Sequence, residues 1–153
     1  MRKVRLGKTG LMVSGVGFGG IPIQRLTDDV GIAVVRRCIE LGVTFIDTAH
    51  GYGASEERIG KAIQGRREGL ILASKSPARD GDTFRQHLEQ SLQRLGVDHI
   101  ELYQFHNVSS QEQFDQVIGP GGPRGEGGGP DRPHRCDVTL ARDRHHDGRV
   151  GAL

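Results

Sequence analysis

The chain has 153 residues and a formal net charge of +2, the size of one ordinary domain. Lysine and arginine are scattered, and only five Phe and two Tyr are present to stack on bases, so no feature marks a nucleic-acid binder. No apolar run nears the roughly 18 residues that span a bilayer, no signal-peptide pattern precedes the first strand, and Cys38 and Cys136 lack disulfide-framework or zinc-site spacing; a reducing cytoplasm, without membrane, metal or nucleic acid, is the expected setting.

Residues 3–14 read as a hairpin of two short strands around Gly7-Lys8-Thr9-Gly10. Gly15-Val16-Gly17-Phe18-Gly19-Gly20 comes next, a strand end running into a glycine-rich turn. It matches the dinucleotide fingerprint GxGxxG in form, but Ile21-Pro22-Ile23 stands where that fingerprint needs a helix to open. The alternative is a set of small residues that lets a ligand approach the backbone at a barrel mouth. Thr27 or Asp28 caps a helix to about Leu41, with Val30, Ala33, Val34, Arg37, Cys38 and Leu41 on one face and Gly42 as its terminating glycine. Cys38 on that face reads as a buried, inert thiol.

Val43 to Asp47 is a β-branched and aromatic strand, and it delivers Asp47 at its C-terminal end. A glycine-rich loop carries Tyr52, and a helix runs from Ser55, its expected N-cap, to Ile63. Gly69 to Lys75 is the next strand; Asp82 is expected to cap a helix through Phe84, Leu88, Ser91, Leu92 and Leu95 that ends at Gly96. His99 to Phe105 is a further strand ending at His106-Asn107, and a helix begins near Ser110 with Phe114, Val117 and Ile118 on its apolar side. Strand and helix thus alternate four times at spacings of about 25–30 residues, which implies a parallel sheet with helices outside it. A doubly wound sheet and a TIM barrel both fit; the N-terminal hairpin, able to plug a barrel floor, favours the barrel. A whole barrel needs eight strands, and four βα units are legible.

Asp47, Lys75 and His106 each arrive at a strand C-terminus, with Tyr52 just beyond the first. Singly, each has an ordinary structural reading: a turn-capping carboxylate, a solvated strand end, a loop histidine, a packed phenol. Jointly, at one barrel rim, they form a candidate site. The arrangement resembles the catalytic tetrad of the aldo/keto reductase family. Asp47-Thr48-Ala49…Tyr52-Gly53, Ser74-Lys75 and Gln104-Phe105-His106-Asn107 carry the resemblance, with the opening Leu6-Gly7…Thr9-Gly10-Leu11…Val13-Ser14…Gly17-Phe18-Gly19 and Ser55-Glu56…Ile59-Gly60. It covers about residues 3–118. It implies the N-terminal part of a (β/α)8 TIM barrel with an N-terminal hairpin, and NADPH-dependent reduction of a small aldehyde or ketone. In that reading Tyr52 donates the proton, Lys75 lowers the pKa of the phenol, Asp47 holds Lys75, and His106 orients the carbonyl oxygen. Gly19, Asp47 and Asn107 are the expected cofactor contacts, Asn107 at the nicotinamide carboxamide and Asp47 at the adjacent ribose. Some members of the bacterial branch it resembles carry iron–sulfur ligands near the C-terminus; no such Cys cluster occurs here.

Residues 119–153 depart from the family pattern. Seven of the eleven residues from Gly119 to Gly129 are glycine, and the remainder is mostly Arg, Asp, His and Pro. Back-translated with GC-rich codons and shifted by one base, Gly122 to Arg132 can read as an amphipathic helix, and Arg132 to Arg144 as a glycine turn, a buried strand and a helix start. The expectation is a frameshifted read of a longer reductase gene after about Gly122; the rival is a natural disordered tail, in which His145-His146 could bind a metal adventitiously. The alternative for the whole chain is a truncated, catalytically inactive barrel fragment, prone to self-association through an open sheet edge. A small binding module without chemistry is the third reading.

Overall fold

Strand and helix alternate along the chain as the periodicity predicts. The computed structural model describes residues 1–118 and 136–138. Their elements are β1 (Lys3–Arg5), β2 (Met12–Ser14), β3 (Phe18–Gly19), a 3-10 turn (Pro22–Arg25), α1 (Asp28–Glu40), β4 (Phe45–Asp47), α2 (Ser55–Ile63), β5 (Ile71–Ser76), α3 (Gly81–Leu95), β6 (Ile100–Phe105), α4 (Gln111–Ile118) and β7 (Cys136–Val138). β1 and β2 form the antiparallel hairpin. β3 to β7 form one parallel sheet in sequential order. Within the stretch expected to be irregular, Cys136–Val138 lies parallel to β6. The glycine-rich run, the two histidines at 145 and 146 and the rest of the stretch expected to be frameshifted lie outside the described residues.

Strand order decides between the two architectures left open by the sequence. A doubly wound sheet reverses its strand order and carries helices on both faces. Here the order runs without reversal, and α1 packs on α2 and α2 on α3, which is the winding of a barrel. The hairpin sits at the N-terminal end of β4. Ser14 N donates to Thr44 Oγ1 at 2.9 Å, and Thr44 N donates back to Ser14 Oγ at 2.9 Å.

The core lies between sheet and helices. Ile46, Leu72, Tyr103 and Phe105 from the strands meet Val35, Ile59, Ile63, Phe84 and Leu95 from the helices. Phe84 packs edge-on to Tyr103 and stacks on Phe105, with ring centroids 5.0 and 4.3 Å apart. Val117 is buried from α4, and Phe114 packs against the same core.

Four local expectations are corrected. The inner face of α1 is Gly31 and Val35 with Ile32 and Ile39, whereas Val30, Val34 and Leu41 are 50%, 38% and 58% exposed. The turn of the helix is set by Gly31: a Cβ there would come within 2.8 Å of the Arg58 side chain, so this glycine faces α2. Cys38 on this helix is a free, half-buried thiol. Ser55 is the first helical residue of α2 rather than its N-cap, which is Ala54; its hydroxyl is drawn to Gly20 O at 2.9 Å. The N-cap of α3 is Asp80, which accepts from Thr83 N at 2.9 Å, and Asp82 stands in the first turn. Gly42 and Gly96 end their helices with φ of +89° and +64°, as expected of terminating glycines.

Candidate active site

Pleating sorts the side chains of β5. Ser74 Oγ donates to Glu56 Oε1 on α2 at 2.7 Å, and Ser76 Oγ lies 2.8 Å from His87 Nδ1 on α3. Both therefore face the helices, and Lys75 between them faces the opposite side. There its ammonium donates to Asp47 Oδ1 and Oδ2 at 2.7 and 2.6 Å and to Thr48 O at 2.7 Å. An ammonium has three donors, and these three acceptors match them. The Lys75 side chain is 17% exposed and that of Asp47 34%, so the pair is only partly screened by water.

The loop after β4 brings the phenol to this ion pair. His50 N donates to Lys75 O at 2.9 Å, which ties the loop to β5; Tyr52 N donates to Ala49 O at 3.0 Å, and Ser55 N to Tyr52 O at 2.9 Å. The Tyr52 ring centroid lies 5.6 Å from Lys75 Nζ. The His106 ring meets the same phenol edge-on, centroids 5.3 Å apart, with Tyr52 Oη 3.3 Å from His106 Nε2. His106 N donates to Ser76 O at 2.8 Å, one step beyond the end of the β5–β6 ladder. Asp47, Tyr52, Lys75 and His106 thus converge at the C-terminal ends of three adjacent strands.

Gly19 pairs in register with Asp47, and a Cβ built on it would meet nothing within 4 Å. The backbone at that point is open to a ligand. Asn107 stands next to His106, is exposed, and has φ of +56°. The glycines of the formal fingerprint do other work. A Cβ on Gly17 would lie 2.9 Å from the Phe45 ring, and one on Gly20 would lie 2.6 Å from Ser55 Oγ and 2.8 Å from Thr48 Oγ1. These two glycines make room for the chain's own side chains, and the next element is a 3-10 turn with Pro22 at its start, where the fingerprint would need a helix.

Three features of the site had no signal in the sequence. One is the Thr48 carbonyl, a backbone acceptor. Another is Glu56, wholly buried, which accepts from Ser74 Oγ and from Arg94 Nη1 at 3.3 Å, while the same Arg94 nitrogen donates to His50 O at 3.1 Å. Glu56 reads as an ordinary acidic residue in a first helical turn, and nothing local announces its burial. The last is the stack of His50 on His87, with centroids 3.9 Å apart and His50 Nε2 2.8 Å from Gln90 Oε1. Burial, then the neighbouring His50 and Arg94, hold the His87 imidazole below its ordinary value. Among the described residues no group of three His, Cys, Asp or Glu is placed to hold a metal ion, and no helix is long and apolar enough to cross a membrane.

The sequence and the structure both have relatives. Residues 15–119 match the aldo/keto reductase family. The chain is 35% identical over 132 residues to the uncharacterized oxidoreductase YqkF of Bacillus subtilis, covering 77% of this chain and 43% of that protein. It is 31% identical over 127 residues to the aldo-keto reductase yakc [NADP(+)] of Schizosaccharomyces pombe, covering 70% of this chain and 37% of that one. A solved putative aldo-keto reductase from Pseudomonas aeruginosa superposes with a TM-score of 0.67 at 32% identity, over 75% of this chain and 49% of that structure. The chain therefore spans less than half the length of these curated relatives, and its sequentially wound parallel sheet is part of a TIM barrel. With its strand order, its sequence match and its structural neighbours in agreement, this chain belongs to the aldo/keto reductase family.

Proposed function

We propose that the chain carries the proton-donating centre of an NADPH-dependent oxidoreductase that reduces aldehyde and ketone carbonyls to alcohols. The observation that carries this reading is that the Tyr52 phenol lies close to both the Lys75 ammonium, which is paired with Asp47, and the His106 ring. The residues present suit the cofactor: the backbone at Gly19 is open beside Asp47, and Asn107 stands exposed at the same mouth. Asp47 would hold the ribose next to the nicotinamide, and Asn107 its carboxamide. The NADP(+) in the name of the S. pombe relative supports the choice of NADPH.

Bound NADPH supplies the hydride that reaches the carbonyl carbon. The chain's own residues serve the oxygen. Tyr52 gives its proton to the oxygen as negative charge grows there, and an ordinary phenol, with a pKa near 10, is a reluctant donor. The Lys75 ammonium stabilises the phenolate left behind. Asp47 and Thr48 O hold that ammonium in place, and His106 directs the carbonyl oxygen by a hydrogen bond. The test is reduction of a simple aldehyde by the purified chain with NADPH: Tyr52→Phe abolishes turnover. Turnover that survives Tyr52→Phe would refute the assignment.

A second reading, a truncated and catalytically inactive barrel fragment, is supported by the sheet, whose strands β3 to β7 do not close into a barrel among the described residues. It predicts no NADPH oxidation and a flat NADPH titration. We further propose that residues 1–118 are the partial barrel and that residues after about Gly122 are a frameshifted read, on the strength of the composition break. Sequencing the locus tests this: a continuous reductase frame after a one-base correction supports it, and a confirmed frame with no such continuation refutes it.

A further inference from the structure

Arg79 stands in the loop between β5 and α3, half-buried. Its Nη1 donates to Pro77 O at 2.9 Å and Ala78 O at 3.1 Å, within its own loop. Its Nη2 crosses to the turn after β6 and donates to His106 O at 2.8 Å and Asn107 O at 3.0 Å. One planar guanidinium therefore joins two successive loops at the mouth, one just past Lys75 and the other carrying His106 and Asn107. Among the described residues no carboxylate forms an ion pair with it.

The geometry at Nη2 bears on a single backbone conformation. His106 O and Asn107 O belong to the two peptide planes that flank the Asn107 Cα. The rotation of one plane against the other is the φ and ψ of Asn107. At φ of +56°, Asn107 is the one non-glycine residue with positive φ among those described, in a region that costs an L-residue free energy even though asparagine tolerates it better than most. A nitrogen bonded to both flanking carbonyls holds this conformation against relaxation. The same bond to His106 O, together with the His106 N bond to Ser76 O, fixes both sides of the His106 backbone and so the direction in which its ring leaves toward Tyr52.

We propose that Arg79 is a positioning residue. Its guanidinium clasps the β6 turn in a left-handed conformation, so that the His106 ring meets Tyr52 and the Asn107 side chain stays at the mouth. The consequence for cofactor binding rests on the reductase reading above; the consequence for the turn does not. A lysine keeps the charge but lacks the planar fork that reaches four carbonyls, so Arg79→Lys should behave like Arg79→Gln.

The experiment is nuclear magnetic resonance on the isotopically labelled full chain, native, Arg79→Gln and Arg79→Lys, with an NADPH titration of each. In both variants the Asn107 Cα and Cβ shifts should move away from left-handed values and the His106 ring resonances should change. NADPH affinity should fall roughly tenfold, the scale of the population penalty on a left-handed non-glycine residue. Arg79→Gln combined with Asn107→Gly should return the His106 ring resonances toward native positions, because glycine adopts positive φ freely; this arm separates lost positioning from lost folding. Left-handed Asn107 shifts that persist in Arg79→Gln overturn the proposal, as does full recovery in Arg79→Lys. A native chain that fails to bind NADPH counts against the reductase reading, while the Asn107 and His106 resonances still decide the role of Arg79.

Discussion

Gly20→Ala tests whether the glycine-rich segment exists for a ligand or for the chain itself. Gly20 is buried at the end of β3, its N–H donating to Asp47 O at 2.7 Å. An added methyl group would lie 2.6 Å from Ser55 Oγ, 2.8 Å from Thr48 Oγ1 and 3.0 Å from Thr48 Cβ. Those two hydroxyls are 2.9 Å apart, and Ser55 Oγ donates to Gly20 O, so neither can retreat without breaking a buried hydrogen bond. Overpacking of this kind costs about 1–3 kcal/mol, and a lost buried hydrogen bond adds about 1 kcal/mol. The expected loss is about 2–4 kcal/mol, a fall in melting temperature of roughly 5–12 °C for a chain of this size. Urea unfolding followed by circular dichroism measures it. Gly19→Ala is the control: its Cβ meets nothing within 4 Å, so stability should stay within about 0.5 kcal/mol of native. Adding Ser55→Ala to Gly20→Ala should make the pair cost less than the sum of the two single changes. A Gly20→Ala chain as stable as the native one would refute the packing account and return the segment to the ligand reading.

Lys75→Met should move the ionisation of Tyr52 upward, since it removes a positive charge 5.6 Å from the ring centroid that favours the phenolate. Tyrosinate absorbance reads this cleanly, because the chain has no Trp and its other tyrosine, Tyr103, is fully buried; an unmoved titration refutes the coupling. His87 predicts an acid-side loss of stability. The unfolded chain takes up a proton near 6.5 while native His87, held lower, resists it, so stability is whole above about pH 6.5, falls below it, and levels off once native His87 is also protonated. His87→Gln should flatten that slope in urea midpoints taken across the acid range, and equal slopes would count against it. Finally, the exposed Val30 and Val34 on α1 and Leu41 at its C-cap should drive self-association that sedimentation detects at roughly 100 μM; Val34→Glu should abolish it, and a native chain that stays monomeric refutes the idea.

The site was more legible than its setting. Asp47, Lys75 and His106 could be placed at strand ends because each strand is a short apolar run that a polar residue terminates, and that pattern is local. The alternation of strand and helix was equally local, resting on periodicity and on glycines such as Gly42 and Gly96. The outer face of α1 misled for an instructive reason. Its apolar rhythm through Val30, Val34 and Leu41 is real, but Gly31 and Val35 on the adjoining face meet α2, and rhythm alone cannot say which of two apolar faces finds a partner. N-caps slipped by one or two residues because several polar residues flank each helix start, and only the hydrogen bond from Thr83 N selects Asp80.

By itself, the amino-acid sequence determined the hairpin and the alternation of strand and helix through residue 118, the strand-end positions of Asp47, Lys75 and His106 with Tyr52 in the loop beyond the first, and, through their order, the family. Tertiary structure alone decided what those residues touch. It set Lys75 against three acceptors, buried Glu56 under Ser74 and Arg94, turned the fingerprint glycines toward Thr48, Ser55 and Phe45, and carried Arg79 across to the carbonyls of the β6 turn. Each of these contacts joins residues well separated along the chain, and such pairs come together only when the sheet is wound.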